Sequence, residues 1–556
     1  MVRGSADGPA GGAGSPVSRL VVWRSRRIST LLKRSGRVGN PVAMAGASLH
    51  ATAMVALGSV PIAVLAGALI SPWLLLLSLA PLVPFLSPEA RLRDDAARRR
   101  EGVERELPFF TVLVGVLGGA GIPLYSIMKG VSSSEIFPSI GEESLLVKRD
   151  VEIFGMNPND SLERLASLHP SKKLGRFLLG YTSKARSGGD VSAYLTVESG
   201  SMLKELEGAW AMYVARVGII GSMMITVFGV VPLLLMVVGV FSPGFSVVGL
   251  VFFTGVGVPV FTLALLYMAG RMQPSPDEAP HGKAAKSMLA SLPFAALGVA
   301  AGAAWASAAA VLFVFFTAYG LSVRKQVSET RELEEGLSSF LKDILEYKRQ
   351  DYDLSKAVVA MEAHGGYPRP FAALLAKVAA KLKAGVPLDE AKPECRSALG
   401  RLAFFLLGEM SRSGGGNVDT VFQVSSFADR MIQMRRGATA EMRPYLVLSY
   451  ASPLLLAFGV TFVGAILSSF SARVAPGLAS ARLGVFHVGS VPPGLSQVSD
   501  LLIVVSAAAL GLIGAKVTDL TVRNTWRASL NVALAVAAVL VLAGPGSHSL
   551  SGLLLR

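Results

Sequence analysis

The chain has 556 residues, of which 52% are hydrophobic and only 16% are charged, and its mean hydropathy is +0.53. A soluble domain carries about 25% charged residues, so this composition excludes an ordinary soluble protein and indicates several membrane spans. The formal charge of +15 is spread along segments that flank apolar runs, which favours membrane orientation over a nucleic-acid partner. The single cysteine, Cys395, excludes a disulfide within one chain.

The amino-terminal segment, residues 1–40, is basic and contains one acid, Asp7. Residues 1–16 are rich in Gly, Ala and Ser, which predicts disorder there. The basic region and the apolar run that follows are both longer than those of a cleaved signal peptide. We therefore expect a basic cytoplasmic tail over residues 1–40, followed by an uncleaved membrane anchor.

Long stretches without Asp, Glu, Lys or Arg mark the membrane part. A spanning helix needs about 20 apolar residues, and two of the stretches are long enough for two helices each. Turns at Ile70-Ser71-Pro72 and at Ser242-Pro243-Gly244 would divide these two stretches. The sequence thus predicts transmembrane hairpins at residues 45–88, 216–270 and 287–323, one helix at 444–470, an extracytoplasmic loop at 471–496, and two helices at 497–546.

The stretch at residues 287–323 is short for two spans and long for one. Lys and Arg near spans stay in the cytoplasm, and a single helix would place the basic segment 324–443 on the other side. Two helices, joined by a turn near Gly302-Ala303-Ala304, keep both long polar segments in the cytoplasm. The predicted fold is therefore an all-α polytopic membrane protein with about nine transmembrane helices and two cytoplasmic bundles.

The two polar segments, residues 89–215 and 324–443, have the pattern of small helical bundles. Single apolar stripes recur at positions i, i+3, i+4 and i+7 on otherwise polar helices. The stripes are Leu174, Phe177, Leu178 and Tyr181; Leu337, Phe340, Leu341 and Ile344; and Phe371, Leu374, Leu375 and Val378.

The two polar segments also align with each other, at a separation of about 230 residues that is far longer than a solenoid repeat. Both end at an arginine at the predicted membrane edge, Arg216 in the first and Arg443 in the second. This order predicts a domain-scale duplication. The matched pieces are Glu106-Leu107-Pro108-Phe109-Phe110 with Gly336-Leu337-Ser338-Ser339-Phe340, Leu174-Gly175-Arg176 with Leu399-Gly400-Arg401, and Arg186-Ser187-Gly188-Gly189-Asp190-Val191 with Arg412-Ser413-Gly414-Gly415-Gly416-Asn417-Val418.

A duplicated helical bundle that ends in a Ser-Gly-Gly turn and leads into membrane helices resembles the type II secretion system F-domain family. This family contains the platform proteins of type II secretion, type IV pili, Tad pili and the archaellum. The resemblance covers roughly residues 90–270 and 325–520 and implies two F-type bundles. Nine spans resemble the archaeal platforms more than the bacterial ones. The sequence departs from the family by having Arg186-Ser187 and Arg412-Ser413 where a Glu often precedes the glycines.

The two glycine turns are the candidate partner-binding residues, and two interpretations of them remain compatible. They can be helix C-caps followed by N-caps, because glycine reaches a positive φ without steric cost. They can also present a contact surface to a partner ATPase. The residues are Ser187, Gly188, Gly189 and Asp190 in the first turn, and Ser413, Gly414, Gly415, Gly416 and Asn417 in the second.

Enzyme motifs are missing from the sequence, so we expect no catalytic, cofactor-binding or metal-binding residues. The chain has no G-x-x-x-x-G-K-[ST] phosphate loop, which means that a separate ATPase would have to supply the energy. Gly188-Gly189-Asp190 is similar to the loop of membrane aspartyl peptidases, but those enzymes need two adjacent carboxylates and the second copy has Asn417. The six histidines form no zinc motif.

By resemblance, the expected function is that of a membrane platform in pilus, archaellum or type II secretion-like assembly. The implied partners are a hexameric secretion ATPase, pilin-like subunits, membrane lipid and a second copy of the chain, without nucleic acid. The implied location is the cytoplasmic membrane, with the amino terminus and both bundles inside. The alternative is a secondary transporter or export permease, since transporters also have duplicated halves.

Overall fold

Helices form every regular element in the part of the chain that the computed structural model describes, and no strand occurs there. This confirms the predicted all-α class. The structure describes residues 16–37, 39–69, 78–132, 134–241, 243–274, 287–293, 304–391, 393–414, 416–478 and 495–543.

The chain divides into two units, residues 1–202 and 203–556. The boundary falls inside α8, whose first 12 residues belong to the first unit and whose remaining residues belong to the second. The helices of the first unit are α1 (Pro16–Ser35), α2 (Pro41–Leu69), α3 (Leu82–Gly119), α4 (Leu124–Val131), α5 (Pro138–Glu152), α6 (Pro158–Leu168), α7 (Lys172–Arg186) and α8 (Val191–Ile225).

In the second unit, a π-helical turn at Thr226–Val230 extends α8, and a second π-helical turn lies at Phe253–Gly257. Residues 287–293 are helical and are called α12. The other helices are α9 (Val231–Phe241), α10 (Pro243–Phe252), α11 (Val258–Met272), α13 (Ala304–Arg349), α14 (Leu354–His364), α15 (Arg369–Lys383), α16 (Ala398–Arg412), α17 (Val418–Glu441), α18 (Arg443–Leu478), α19 (Leu495–Asp519) and α20 (Trp526–Ala543).

Aromatic rings occupy the centre of the bundle in the first unit. Phe110 on α3 contacts Phe137 and Phe177 edge-on, with ring centroids 6.0 and 6.3 Å apart. Small residues bring α8 close to α3: a Cβ atom on Gly118 would lie 2.4 Å from the Leu195 side chain. The bundle is thus held by a buried aromatic centre and by one close helix approach.

The predicted apolar stripes are confirmed, because every residue in them is buried. In the second unit, Phe340 on α13 lies 5.3 Å from Phe371 and 5.5 Å from Phe404, measured between ring centroids. The same α13 begins far from this bundle core, among apolar helices. There Ala309 and Phe316 pack with Val504, Ala508, Ala528 and Val532 of α19 and α20.

Six helices in the described ranges are long and apolar enough to cross a membrane. A further apolar helix, Trp526–Leu542, is shorter. The six are Pro41–Leu65, Val191–Val238, Val247–Met272, Trp305–Arg349, Val418–Gly464 and Ser496–Asp519.

The predicted count of nine spans is not reached in these ranges and stays a prediction. The turn expected at Ile70-Ser71-Pro72 lies outside the described residues, as do Ser242, Gly302 and Ala303. On the two sides of Ser242, one helix ends at Phe241 and the next begins at Pro243.

Two boundaries differ from the sequence predictions. α18 continues to Leu478, so residues 471–478 of the expected loop are helical, and residues 479–494 lie outside the described part. Residues 16–35 of the expected tail form α1; of the segment 1–16 expected to be disordered, residues 1–15 lie outside the described part and Pro16 begins the helix. Residues 16–35 are helical because they bury an apolar stripe, in which Ile28 and Leu32 pack against Ala45 and Leu92.

Candidate partner-binding surface

The first glycine turn caps two helices. The Ser187 N–H donates to the Ser183 carbonyl at 3.1 Å and ends α7, and Gly188 has a φ of +66°. The Gly189 N–H then donates to the Lys184 carbonyl at 3.1 Å. Asp190 accepts from the Ala193 N–H at 2.9 Å and so caps the start of α8. Residues 187–190 are all exposed, so the turn is both a structural cap and an accessible tip.

The second glycine turn has the same arrangement with a stronger amino-terminal cap. The Ser413 N–H donates to the Glu409 carbonyl at 3.0 Å, and Gly414 and Gly416 have φ values of +108° and +61°. Asn417 and Thr420 form a reciprocal capping box at the start of α17, with distances of 2.8 and 3.1 Å. Gly415 lies outside the described residues.

The arginine before each turn distinguishes the two bundles. Arg186 pairs with Asp160 at 2.5 Å and with Glu163 at 3.1 Å, and both acids are on α6. Arg412 instead pairs with Glu409 of its own helix at 2.6 Å. The first turn is therefore fixed to a neighbouring helix, whereas the second depends on its own helix end.

A serine precedes the turn-bearing helix in both bundles and performs two tasks. The Ser171 hydroxyl accepts from the Leu174 N–H at 3.3 Å and donates to Glu104 at 2.9 Å. In the second bundle, Ser397 accepts from the Gly400 N–H at 3.2 Å. The Ser397 hydroxyl also donates to Glu334 at 3.2 Å. Each serine thus links the start of this helix to the long helix that enters its bundle.

An ion pair between two shorter helices occurs in both bundles with the charges exchanged. Lys129 on α4 pairs with Glu152 at the end of α5, at 2.8 Å. Glu362 on α14 pairs with Lys383 at the end of α15, at 2.9 Å. The two ion pairs join corresponding helices at similar distances, but the basic and acidic residues are exchanged. A comparison that looks for identical residues therefore does not detect this similarity.

A buried group of charged and polar side chains surrounds Glu143 on α5. Arg99 on α3 donates to both oxygens of this carboxylate, at 2.6 and 2.5 Å. His169 Nε2 lies 3.5 Å from Glu143, and His169 Nδ1 accepts from the Ser171 N–H at 3.0 Å. Burial alone raises the pKa of Glu143, but hydrogen bonds from His169 and Arg99 and the charge of Arg99 outweigh it and hold the pKa below its ordinary value.

A second carboxylate accepts hydrogen bonds from the backbone at the start of α5. Glu106 accepts from the Ser139 N–H at 2.9 Å and from the Ile140 N–H at 2.8 Å. Burial raises the pKa of Glu106, although the two backbone hydrogen bonds oppose this shift. Glu106 lies on α3 and Glu143 on α5 itself, with α4 between them in sequence, so spacing alone did not indicate that both carboxylates anchor α5.

Within the described ranges, no group of three or more His, Cys, Asp or Glu side chains is arranged to bind a metal ion. The side chain of His169 is buried in the first bundle, where it contacts Glu143. The glycine turns are exposed features that occur in both bundles.

Residues 109–239 match the family "Type II secretion system (T2SS), protein F". No curated protein and no solved structure matches the chain. The matched region begins inside α3, includes the first glycine turn and ends inside α9. Members of this family work with secretion ATPases. Residues 109–239 therefore form a domain of the type II secretion system protein F family, and this domain indicates a membrane component of type II secretion or type IV pilus-like machinery.

Proposed function

We propose that this protein is the membrane platform of a filament-assembly machine, which couples a cytoplasmic hexameric ATPase to the insertion of pilin-like subunits. The observation that carries the proposal is the protein F domain at residues 109–239, which contains most of a polar bundle and the whole candidate membrane span Val191–Val238. The protein itself would hydrolyse no nucleotide and bind no nucleic acid. Its role would be to transmit motion from the ATPase to the membrane helices.

The continuous helix α13 supports this coupling. It has 46 residues and is about 69 Å long at 1.5 Å per residue, more than twice the thickness of a bilayer core. One part packs through Phe316 against α19 and α20, and another part carries Phe340 in the bundle core. A displacement of the bundle would therefore move the membrane end of the same rigid helix.

Polar contacts join α13 to α17 along the bundle. Glu334 pairs with Arg435 at 2.7 Å, and the side chains of this pair are only 13% and 20% exposed. Asp429 on α17 accepts from Ser338 at 2.5 Å and pairs with Lys342 at 3.1 Å. These contacts make the two long helices of the second bundle suitable for moving together.

We further propose that the second bundle is a duplicate of the first. The matched serine caps, the exchanged Lys–Glu pair and the two aromatic centres support this reading, because they recur in the same order along the chain. Both bundles and the amino terminus would face the cytoplasm, where basic segments remain. Two copies of one bundle could then engage one ATPase ring, in a platform that is itself a homodimer.

The decisive experiment is deletion of the coding region followed by electron microscopy of the cell surface. We expect loss of a filament, or of a secreted substrate, and recovery when the wild-type chain is restored. Filaments and secretion that persist unchanged would contradict the platform proposal. Substrate flux in vesicles that contain only this protein would instead support a transporter.

The turns can be tested separately with matched charge insertions. We expect the double variant Ser187→Lys/Ser413→Lys to weaken binding of the full chain, held in nanodiscs, to its ATPase by at least about tenfold, or about 1.4 kcal/mol. The control Ser167→Lys/Ser339→Lys places the same charges on exposed helix faces. Equal binding by the two double variants would exclude the turns as the contact site.

A further inference from the structure

The exposed face of α1 carries a strong positive charge that the proposed function does not use. The helix contains no acidic residue. Its outward side chains include Trp23, which is 51% exposed, and the basic groups that follow it. The basic residues of α1 are Arg19, Arg24, Arg26, Arg27, Lys33 and Arg34.

The position of α1 relative to the bilayer follows from its neighbour α3. Arg24 is buried, its guanidinium lies 3.8 Å from the centre of the Phe85 ring, and it donates to the Phe85 carbonyl. On one side of Phe85, α3 exposes Leu82 and Val83. On the other side its charged residues begin at Glu89. The Arg24–Phe85 contact therefore marks the level at which an apolar surface gives way to a polar one.

The direction of α1 determines which of its exposed residues lie nearest the apolar surface of α3 and which lie nearest the polar surface. α1 runs parallel to α3, because Arg24 contacts Phe85 whereas the Arg34 carbonyl accepts from Arg99 at 3.1 Å. Trp23 thus lies at the apolar end of the face. Proceeding toward the polar end, the exposed face presents Arg26 and Arg27 and then Lys33 and Arg34.

This sequence of groups matches the interface of a bilayer. Tryptophan prefers the boundary between hydrocarbon and headgroups, and lysine and arginine extend toward phosphates. The Arg27 guanidinium lies 4.9 Å from the centre of the Trp23 ring, so these two side chains form one surface. The helix α2, which contains the candidate span Pro41–Leu65, runs back along α1, because Ala45 packs against Ile28 and Leu32. The span therefore leads from the polar end of α1 toward its apolar end.

From these contacts we infer that α1 is a docking helix for acidic phospholipids, whose phosphates are bound by Arg26, Arg27 and Lys33. Burial of Ile28 and Leu32 against Ala45 and Leu92 fixes the rotation of the helix, so the basic face is oriented before lipid binds. An acidic protein or a nucleic acid fits less well, because neither explains an exposed tryptophan beside the apolar end of α3. The inference is independent of any ATPase or filament.

The test uses the full chain reconstituted in vesicles with equal amounts of phosphatidylglycerol and phosphatidylcholine. After mild detergent extraction, the phospholipids retained by the protein are measured by mass spectrometry. We expect the wild type to retain phosphatidylglycerol preferentially. The variant Arg26→Gln/Arg27→Gln/Lys33→Gln should lose at least about fivefold of this preference, which is the contribution of about one basic group at an anionic leaflet.

Two control variants separate lipid binding from general effects. The triple variant Lys356→Gln/Lys377→Gln/Lys381→Gln removes three exposed charges from α14 and α15 and should behave like the wild type. The variant Arg26→Lys/Arg27→Lys keeps the charge and should retain most of the preference. Three results would each overturn the inference. The α1 glutamine variant could retain as much phosphatidylglycerol as the wild type, or the α14 and α15 control could lose its preference. The third is that added glycerol phosphate abolishes the retention.

Discussion

Arg99 and Glu143 form a bidentate ion pair with distances of 2.6 and 2.5 Å, and their side chains are only 14% and 3% exposed. Arg99 also donates to the Arg34 carbonyl at 3.1 Å, so one guanidinium connects α1, α3 and α5. We expect Arg99→Met to destabilise the first unit by about 3–5 kcal/mol, because it leaves a buried carboxylate without its partner. Thermal unfolding and limited proteolysis of the full chain would measure the loss.

The neighbouring Arg98 provides the control for this prediction. It forms an exposed pair with Asp94 in its own helix, at 2.9 Å. Arg98→Met should change stability by less than about 1 kcal/mol, since exposed pairs contribute little. If the two substitutions lowered stability equally, the loss of one positive charge, rather than the loss of the buried ion pair, would explain the effect.

The same ion pair predicts how stability depends on pH. The pKa of Glu143 is lower in the folded protein than its ordinary value, which is about 4.3 for glutamate in an unfolded chain. Its contribution is therefore fully present above about pH 4.3 and is lost as the pH falls through the folded pKa. The melting temperature of the wild type should exceed that of Glu143→Gln by a constant amount above about pH 4.3, and this difference should shrink as the pH falls below that value. A difference that does not shrink there would contradict the assignment.

The paired serines predict similar losses in the two bundles. Ser171→Ala and Ser397→Ala should each cost about 1–2 kcal/mol, because each removes a helix cap and a hydrogen bond to a carboxylate. Ser→Thr at either position keeps the hydroxyl and should cost less. Thermal unfolding of the full chain would compare the four variants. A loss confined to one serine would argue against equivalent roles for Ser171 and Ser397.

The sequence predicted the bundle cores well because a stripe at helical spacing can be buried in only one way. Phe340 and Phe177 were expected inside and are fully buried. The Arg99–Glu143 pair was not predicted, since Arg99 belongs to a run of three arginines. The rotation of α3 about its own axis determines which of the three arginines points into the bundle. The partner of Arg99, Glu143, is 44 residues away in sequence.

Helix α1 was missed for a different reason. Its many arginines suggested a solvated tail, and its apolar stripe is short, with Ile28 and Leu32 as its buried anchors. The partners of this stripe, Ala45 and Leu92, are on other helices, so only the tertiary structure shows that burial stabilises residues 16–35 as a helix. For the candidate turns, the capping role could be predicted from glycine followed by Asp190 or Asn417. The binding of Arg186 to α6 could not.

The contact of α13 with α20 provides the last prediction. A Cβ atom at Gly320 would lie 2.3 Å from the backbone nitrogen of Trp526, and backbone atoms cannot move aside as a flexible side chain can. The Thr525 hydroxyl donates to the Phe316 carbonyl at 2.9 Å, and Arg324 lies 4.3 Å from the centre of the Trp526 ring. These contacts hold Gly320 against the start of α20 from both sides.

Gly320→Ala should therefore separate α13 from α20 and destabilise the second unit by about 1–3 kcal/mol, the usual cost of overpacking. Gly464→Ala is the matched control, because nothing lies within 4 Å of its Cβ position and alanine favours helix over glycine. The control should have the same melting temperature as the wild type or a higher one. If α13 passes motion between the bundle and the membrane helices, Gly320→Ala should also reduce filament assembly at temperatures where the protein remains folded. Normal assembly by a destabilised Gly320→Ala protein would separate this packing contact from the coupling.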